Sequence, residues 1–344
     1  MDIYTNDLGF IAIIEQARLI GFNVVAGGGM GTTHGDHSTF PRLADDLGFI
    51  TVDKVLKVAE AVITIQRNQG NRVSRRHARL KYTIERLGLE NFKHQVEQYS
   101  NVNFQPSRKI RFERQGDRYG WSKGTDDKWN LTLYIENGRV VDLANAPVMT
   151  GLRKIASLHK GDFRITPNQN LIIAGVAECN KSQIDQLAKQ HGLINNATGN
   201  ARLNSLACVS LPTCPQAMAE AERYFPEFMD KVESLLERHG LQNLDLVIRM
   251  TGCPNGCARP FVAEIGLVGK APGRYNLLLG GDGRGQRLNK LYRENLKEQD
   301  ILSCLNQLFE QYSADRKSNE RLGDFAIRSG LVKQVINSVV DFHA

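Results

Sequence analysis

The sequence predicts an α+β fold, mixed sheets with flanking helices, on three observations. Segments with strand character alternate with segments of helical period, and residues 121–193 read in order as hairpin, helix, hairpin, helix. Asn137-Gly138 stands between two apolar runs and accepts the positive φ angles of a two-residue turn, which implies antiparallel neighbours. Four cysteines beyond residue 194 lie in stretches rich in Pro and Gly, the irregular backbone of a loop-built site.

The chain has 344 residues, which suggests two or three domains. Hydrophobic residues make up 41% and charged residues 24%, so a sizeable core is available and wholesale disorder is excluded. Apolar stretches such as residues 171–177 fall far short of the ~20 residues of a membrane helix. The first seventeen residues carry no Lys or Arg and include Asp2, Asp7 and Glu15, unlike a secretory or transit leader. A net charge of +7 favours anionic partners without naming one. Six cysteines are too few for a disulfide-stapled scaffold, so a reducing cytoplasm is expected, where clustered cysteines bind metal or catalyse.

Along the chain, residues 9–31 read as a strand and turn, with Val24 and Val25 running into a glycine-rich loop. A helix is predicted from about Asp53, its N-cap, with Val55, Leu56, Ala59, Val62 and Ile63 on the apolar face. Ser74 caps a second, strongly basic helix with apolar positions Leu80, Ile84 and Leu87, ended by Gly88. A third spans about 90–99. A hairpin over 131–143, a short helix after Pro147, strands at 163–166 and 171–174 and a helix over 181–191 form the middle unit. Beyond residue 194, a helical pattern over 215–239 is interrupted by Pro226, which predicts a kink or split. A buried strand at 244–250 runs into the second cysteine pair, and strands at 263–268 and 275–279 flank the turn 269–274.

The strongest chemical signal is Cys208 and Cys214, with five residues between them, followed after thirty-eight residues by Cys253 and Cys257, with three between them. Four thiolates converging from two loops suit an iron–sulfur cube, one per iron. Structural zinc is the competing reading, although its paired ligands usually have two to four residues between them. Four cysteines packed as small hydrophobes is the bland one. Cys179 and Cys304 lack partners in the sequence and read as structural.

Cys208-x5-Cys214 and Thr251-Gly252-Cys253-Pro254-Asn255-Gly256-Cys257 resemble the cluster signature of the sulfite and nitrite reductases that pair siroheme with a [4Fe–4S] cluster. The flanks Ala217–Arg223 and Glu264–Asn276, together with Gly27-Gly28-Gly29 and Phe163–Thr166, are similar to those of the bacterial NADPH-dependent sulfite reductases, and the likeness covers essentially the whole chain. The resemblance implies the C-terminal half of that fold. Residues 1–120 would be a siroheme-domain portion, 121–193 a ferredoxin-like half of a pseudo-twofold repeat, and 194–344 the [4Fe–4S]- and siroheme-binding domain.

It further implies that Cys208, Cys214, Cys253 and Cys257 hold the cluster, that Cys257 also bridges to the siroheme iron, and that Thr251 and Asn255 neighbour the macrocycle. The implied reaction is six-electron reduction of sulfite to sulfide, with electrons from NADPH delivered by a separate flavoprotein alpha subunit. The basic groups that hold sulfite belong to the family's N-terminal half, so this chain is expected to lack them and to be inactive alone. The alternatives are a fragment of a ferredoxin-type nitrite reductase or a non-catalytic metal-binding module. Exposed apolar surface where the other half would dock predicts self-association.

Gly27, Gly28 and Gly29 are expected to bring backbone amides against siroheme carboxylates, or to be loop geometry only. The lesser alternative for Asn255 is a turn residue tolerating left-handed φ. Arg164 and Gln169 favour structural hydrogen bonding, and His34 and His37 favour a solvated loop over a metal site. The basic run Arg72, Arg75, Arg76, His77, Arg79 and Lys81 lacks interleaved aromatics, so a solvated face or a surface for a polyanionic cofactor or acidic partner is preferred to nucleic acid.

Overall fold

A computed structural model describes residues 2–194 and 198–343. The first strands, β1 (Leu8–Glu15) and β2 (Arg18–Ala26), form an antiparallel hairpin, and β3 (Asp45–Thr51) adds to β2. Gln16 and Ala17 make the turn, both at positive φ. Neither is Asn or Gly, so the sequence showed one strand here where there are two. Helices α1 (Val55–Gln69), α2 (Leu80–Leu87) and α3 (Leu89–Ser100) cover one face of this sheet. The buried face of α1 is Val58, Ala61, Val62 and Ile65, an i, i+3, i+4, i+7 stripe. Leu56 and Ile63, placed in the core from the sequence, are 82% and 64% exposed. Asp53 belongs to a short 3-10 turn, as do Arg75–His77. Ser74 makes no capping bond to the backbone, while Gly88 ends α2 at φ +79 as predicted.

The middle unit contains β4 (Gly120–Lys123), β5 (Trp129–Leu133), the short pair β6 (Asp142–Leu143) and β7 (Ala146–Pro147), α4 (Val148–Leu158), β8 (Asp162–Ile165), β9 (Leu171–Val176) and α5 (Glu178–Gln190). Its main sheet has the order β4-β5-β9-β8, all antiparallel, with Leu131, Leu133, Ile155, Ile173 and Ile184 in the core. The hairpin predicted around Asn137-Gly138 is absent. Both residues do take positive φ, but β5 is already paired on both edges, so no edge remains for a return strand. Instead Asn137 is buried and its amide donates to the Glu222 carbonyl.

The last unit runs through α6 (Asn200–Leu203), β10 (Leu206–Ala207), α7 (Phe225–Arg238), β11 (Ile248–Thr251), β12 (Ile265–Ala271), β13 (Arg274–Leu279), β14 (Lys290–Leu296), α8 (Glu298–Asp315), α9 (Leu322–Arg328) and α10 (Ser338–Asp341). The five strands lie in sequence order; β10, β11 and β12 are parallel, and β13 and β14 return antiparallel. Pro226 does not kink a helix. It occupies the first turn of α7, where its missing N–H costs nothing, and residues 215–224 are non-helical. Buried Glu264 accepts from Arg321 and from the Val247 and Gly323 amides, tying α9 to the sheet. No helix among the described residues is long and apolar enough to cross a membrane.

Candidate metal centre

The two cysteine pairs meet because their loops leave the same end of adjacent parallel strands. Ala207 on β10 is in register with Met250 on β11, and the Cys208 amide extends the pairing to the Met250 carbonyl at 3.1 Å. The first loop then turns at Ser210, and the Cys214 amide donates back to the Ser210 carbonyl at 2.7 Å. The second leaves β11 at Gly252, whose carbonyl accepts from the Met218 and Ala219 amides of the first. A β-carbon at Gly252 would lie 1.8 Å from the Ser210 hydroxyl, so only glycine allows the two loops to close.

The Gly252 amide and the Thr251 hydroxyl reach the Cys208 sulfur at 3.2 and 3.4 Å. Cys253 is buried, Cys208 and Cys214 are half-buried, and Cys257 is exposed. Burial pushes the Cys253 thiol up, with the Asn255 amide opposing and the thiols of Cys257, Cys208 and Cys214 adding to the rise. Cys257, although exposed as a residue, is raised by partial loss of solvent at its sulfur, with contributions from Cys208 and Cys214. The four sulfurs therefore share one electrostatic neighbourhood, and any thiolate there calls for a cation. Among the described residues no three His, Cys, Asp or Glu side chains form a group that could hold a metal ion. A cube takes one sulfur per iron, so its ligands stand on a wider tetrahedron than those of a single zinc.

Thr251 is fully buried, and its hydroxyl faces Cys208 and the Cys253 carbonyl. Exposed Asn255 donates to Gln216 Oε1 at 2.7 Å. The glycine-rich loop abuts this turn: the Thr32 amide and hydroxyl both reach the Pro254 carbonyl. Its expected amide donors are, however, already engaged. Gly27, Gly28 and Gly29 donate to the carbonyls of Asp7, Asn6 and Arg42 at 2.8, 3.0 and 2.8 Å. Their small size serves close chain packing, since a β-carbon at Gly28 would lie 2.2 Å from the Tyr4 carbonyl.

The basic run is not one solvated face. Arg76 pairs with Asp36, Arg79 pairs with Asp7, and Lys81 is 0% exposed, donating to the carbonyls of Gly29, Gly31 and Phe40. Burial, reinforced by Arg79 and Arg42, lowers the Lys81 pKa to about 7. Sequence reasoning missed Lys81; the available signal was its position three residues before Ile84, on the flank of the buried stripe. Arg164 is exposed and pairs with Asp162, and Gln169 donates to the Ala207 carbonyl. His37 stacks on His343. Cys304 packs against the large core, whereas Cys179 is exposed.

Residues 1–104 and 198–337 match the nitrite and sulphite reductase 4Fe-4S domain, and residues 122–191 match the nitrite/sulfite reductase ferredoxin-like half domain. The chain belongs to the nitrite and sulphite reductase family. It is 60% identical over its whole length to a sulfite reductase [NADPH] hemoprotein beta-component of Shewanella loihica, and 59% to that of Shewanella sediminis. It spans 61% and 60% of those two proteins. Among solved structures, the Mycobacterium tuberculosis NirA protein aligns with a TM-score of 0.80 at 22% identity, covering 95% of this chain and 61% of that one, and so shares the fold.

Proposed function

We propose that this chain is the cluster-bearing part of a sulfite reductase hemoprotein, with Cys208, Cys214, Cys253 and Cys257 holding a [4Fe–4S] cluster. The observation that supports the reading is that the loops carrying the two cysteine pairs leave the same end of adjacent parallel strands and bond to each other at Gly252. The donor set fits the group: four thiols stand on two loops bonded to each other, two hydrogen-bond donors point at the Cys208 sulfur, and burial of Cys253 disfavours a free thiolate there. Cys257, the exposed member, would also hold the siroheme, with Thr251 and Asn255 as its neighbours on the same turn. The role of Gly27, Gly28 and Gly29 in this reading is to bring the loop carrying Thr32 against that turn.

When bound, the paired cofactors would supply electrons for reduction of sulfite to sulfide in the cytoplasm, for cysteine biosynthesis. Around them, Thr251 and Gly252 stabilise charge on Cys208, and the loop contacts fix where Cys257 points. The chain would work with the remainder of the hemoprotein and with an NADPH-dependent flavoprotein alpha subunit. Its three units would be residues 1–120, 121–193 and 194–344.

Anaerobic reconstitution with iron and sulfide tests the cluster. Four irons per chain and a broad brown absorption are expected, and siroheme adds strong red bands. A chain that stays colourless sinks the redox reading. Turnover of the full-length protein on sulfite rather than nitrite decides the substrate.

A further inference from the structure

The Cys253–Cys257 loop is closed at its base by a residue 247 positions away from its first arginine. Arg249, on β11, precedes the loop, and Arg259 follows it. The Asp2 carboxylate lies between them: one oxygen is 2.7 Å from Arg249 Nη1 and 2.9 Å from Arg259 Nε. Arg249 also donates to the Arg259 carbonyl at 3.3 Å, which completes a ring of contacts. Asp2 and Arg249 are each 1% exposed. The outer nitrogen of Arg259 reaches the Pro167 carbonyl and Asn168 Oδ1 at 2.8 and 3.0 Å, so the middle unit joins the same junction.

The two ends of the loop differ in what else holds them. Arg249 belongs to a strand paired on both sides, with β10 and with β12. Arg259 belongs to no strand: its amide donates to the Gly256 carbonyl at 2.7 Å, within the loop itself, and it takes the left-handed region at φ 55, ψ 48, which is unfavourable for a residue with a β-carbon. The Arg259 Nε is a buried atom whose ion-pair partner is the Asp2 carboxylate, so the contact with Asp2 opposes any relaxation of Arg259. We infer that Asp2 is a positioning residue, whose carboxylate ties the free end of the Cys253–Cys257 loop to the fixed strand through Arg259 and Arg249. Its consequence for cofactor loading rests on the cluster reading above; the clamp itself does not.

The test is D2N in the 344-residue chain, read by hydrogen exchange and by iron uptake. Amides of residues 252–258 are expected to exchange at least tenfold faster than in the wild type. Amides in β12 and β13, which share the sheet, are expected to change less than twofold. D2E, which restores the carboxylate, recovers most of the protection. Iron bound after reconstitution falls in D2N and returns in D2E. Unchanged exchange at 252–258, or an equal rise across β12 and β13, overturns the proposal, the second outcome because it marks general destabilisation. Should D2N fail to fold, R259Q leaves the Asp2–Arg249 pair in place and is judged by the same two patterns. A wild-type chain that binds no iron refutes the cluster reading, while the exchange measurement, which needs no iron, still decides the clamp.

Discussion

Thr32 donates twice to one acceptor: its amide and its hydroxyl lie 3.0 and 3.2 Å from the carbonyl oxygen of Pro254. The two residues are 222 positions apart, one in the glycine-rich loop and the other between two of the cysteines. Behind the glycine loop stands Lys81, whose side-chain nitrogen gathers two of its carbonyls, those of Gly29 and Gly31, and the carbonyl of Phe40. The basic helix, the glycine loop and the cysteine turn thus form a chain of contacts that ends at the thiols.

Replacing Thr32 by Val removes one of the two donors and keeps the β-branched shape. Stability should fall by about 1 kcal/mol, the net worth of an ordinary hydrogen bond. Urea denaturation measures this, and an unchanged midpoint would mean that the hydroxyl contact contributes nothing beyond the amide.

Lys81 makes folding stability depend on pH in a definite direction. Its pKa is about 7 in the folded chain against 10.5 for an ordinary lysine. Between those values the unfolded chain holds a proton that the folded chain has lost, so stability attributable to Lys81 rises with pH from about 7 to 10.5. The slope approaches ~1.4 kcal/mol per pH unit at most, one proton's difference. Denaturation of wild type and K81M across pH 6 to 9.5 isolates it: the wild-type curve should gain on the variant as pH rises. Parallel curves would show that the ammonium form persists in its carbonyl cage.

What could be read without coordinates follows the range of the interactions. The cysteine signature was legible because each pair lies in one short loop, and the strands at 163–166 and 171–174 because hairpin partners are close in sequence. The Asn137-Gly138 turn was legible as backbone geometry but not as a hairpin, since strand pairing depends on which edges of β5 are free. The face of α1 was misassigned because two equally apolar stripes exist, and only the position of Val24, Leu47 and Ile50 selects between them. Asp2 gave no local sign of burial, and although Arg249 lies in a strand read as buried and Lys81 beside a buried stripe, the partners of all three are tens to hundreds of residues away and could not be read.

The Thr251 hydroxyl is placed to tune whatever Cys208 holds. A donor to a sulfur ligand stabilises the more negative, reduced form of an iron–sulfur centre. T251V, which keeps the volume of a fully buried side chain, should therefore lower the cluster midpoint potential by roughly some tens of millivolts, the electrical equivalent of a fraction of a charged hydrogen bond. Potentiometric titration reads the shift. A potential that stays put, with iron content unchanged, would assign the contact at 3.4 Å to packing alone.

Gly252 carries a close approach between the backbones of the two cysteine loops, so adding one methyl group there tests whether that approach is what assembles the site. The added carbon would lie 1.8 Å from the Ser210 hydroxyl, 2.9 Å from its β-carbon and 2.6 Å from the Ala219 carbonyl. Ser210 cannot simply turn away, because its hydroxyl is bonded to that same carbonyl. G252A should consequently cost about 1–3 kcal/mol, the usual range for overpacking, and iron bound after reconstitution should drop with it. Ser210 takes a positive φ that glycine accepts, so S210G in the same chain removes both Ser210 contacts without straining the backbone. The Ala219 contact remains, and partial recovery of iron binding and of melting temperature is therefore expected. If G252A alone loads iron and melts like the wild type, the loops can separate freely, and tight closure is not what brings the four sulfurs together.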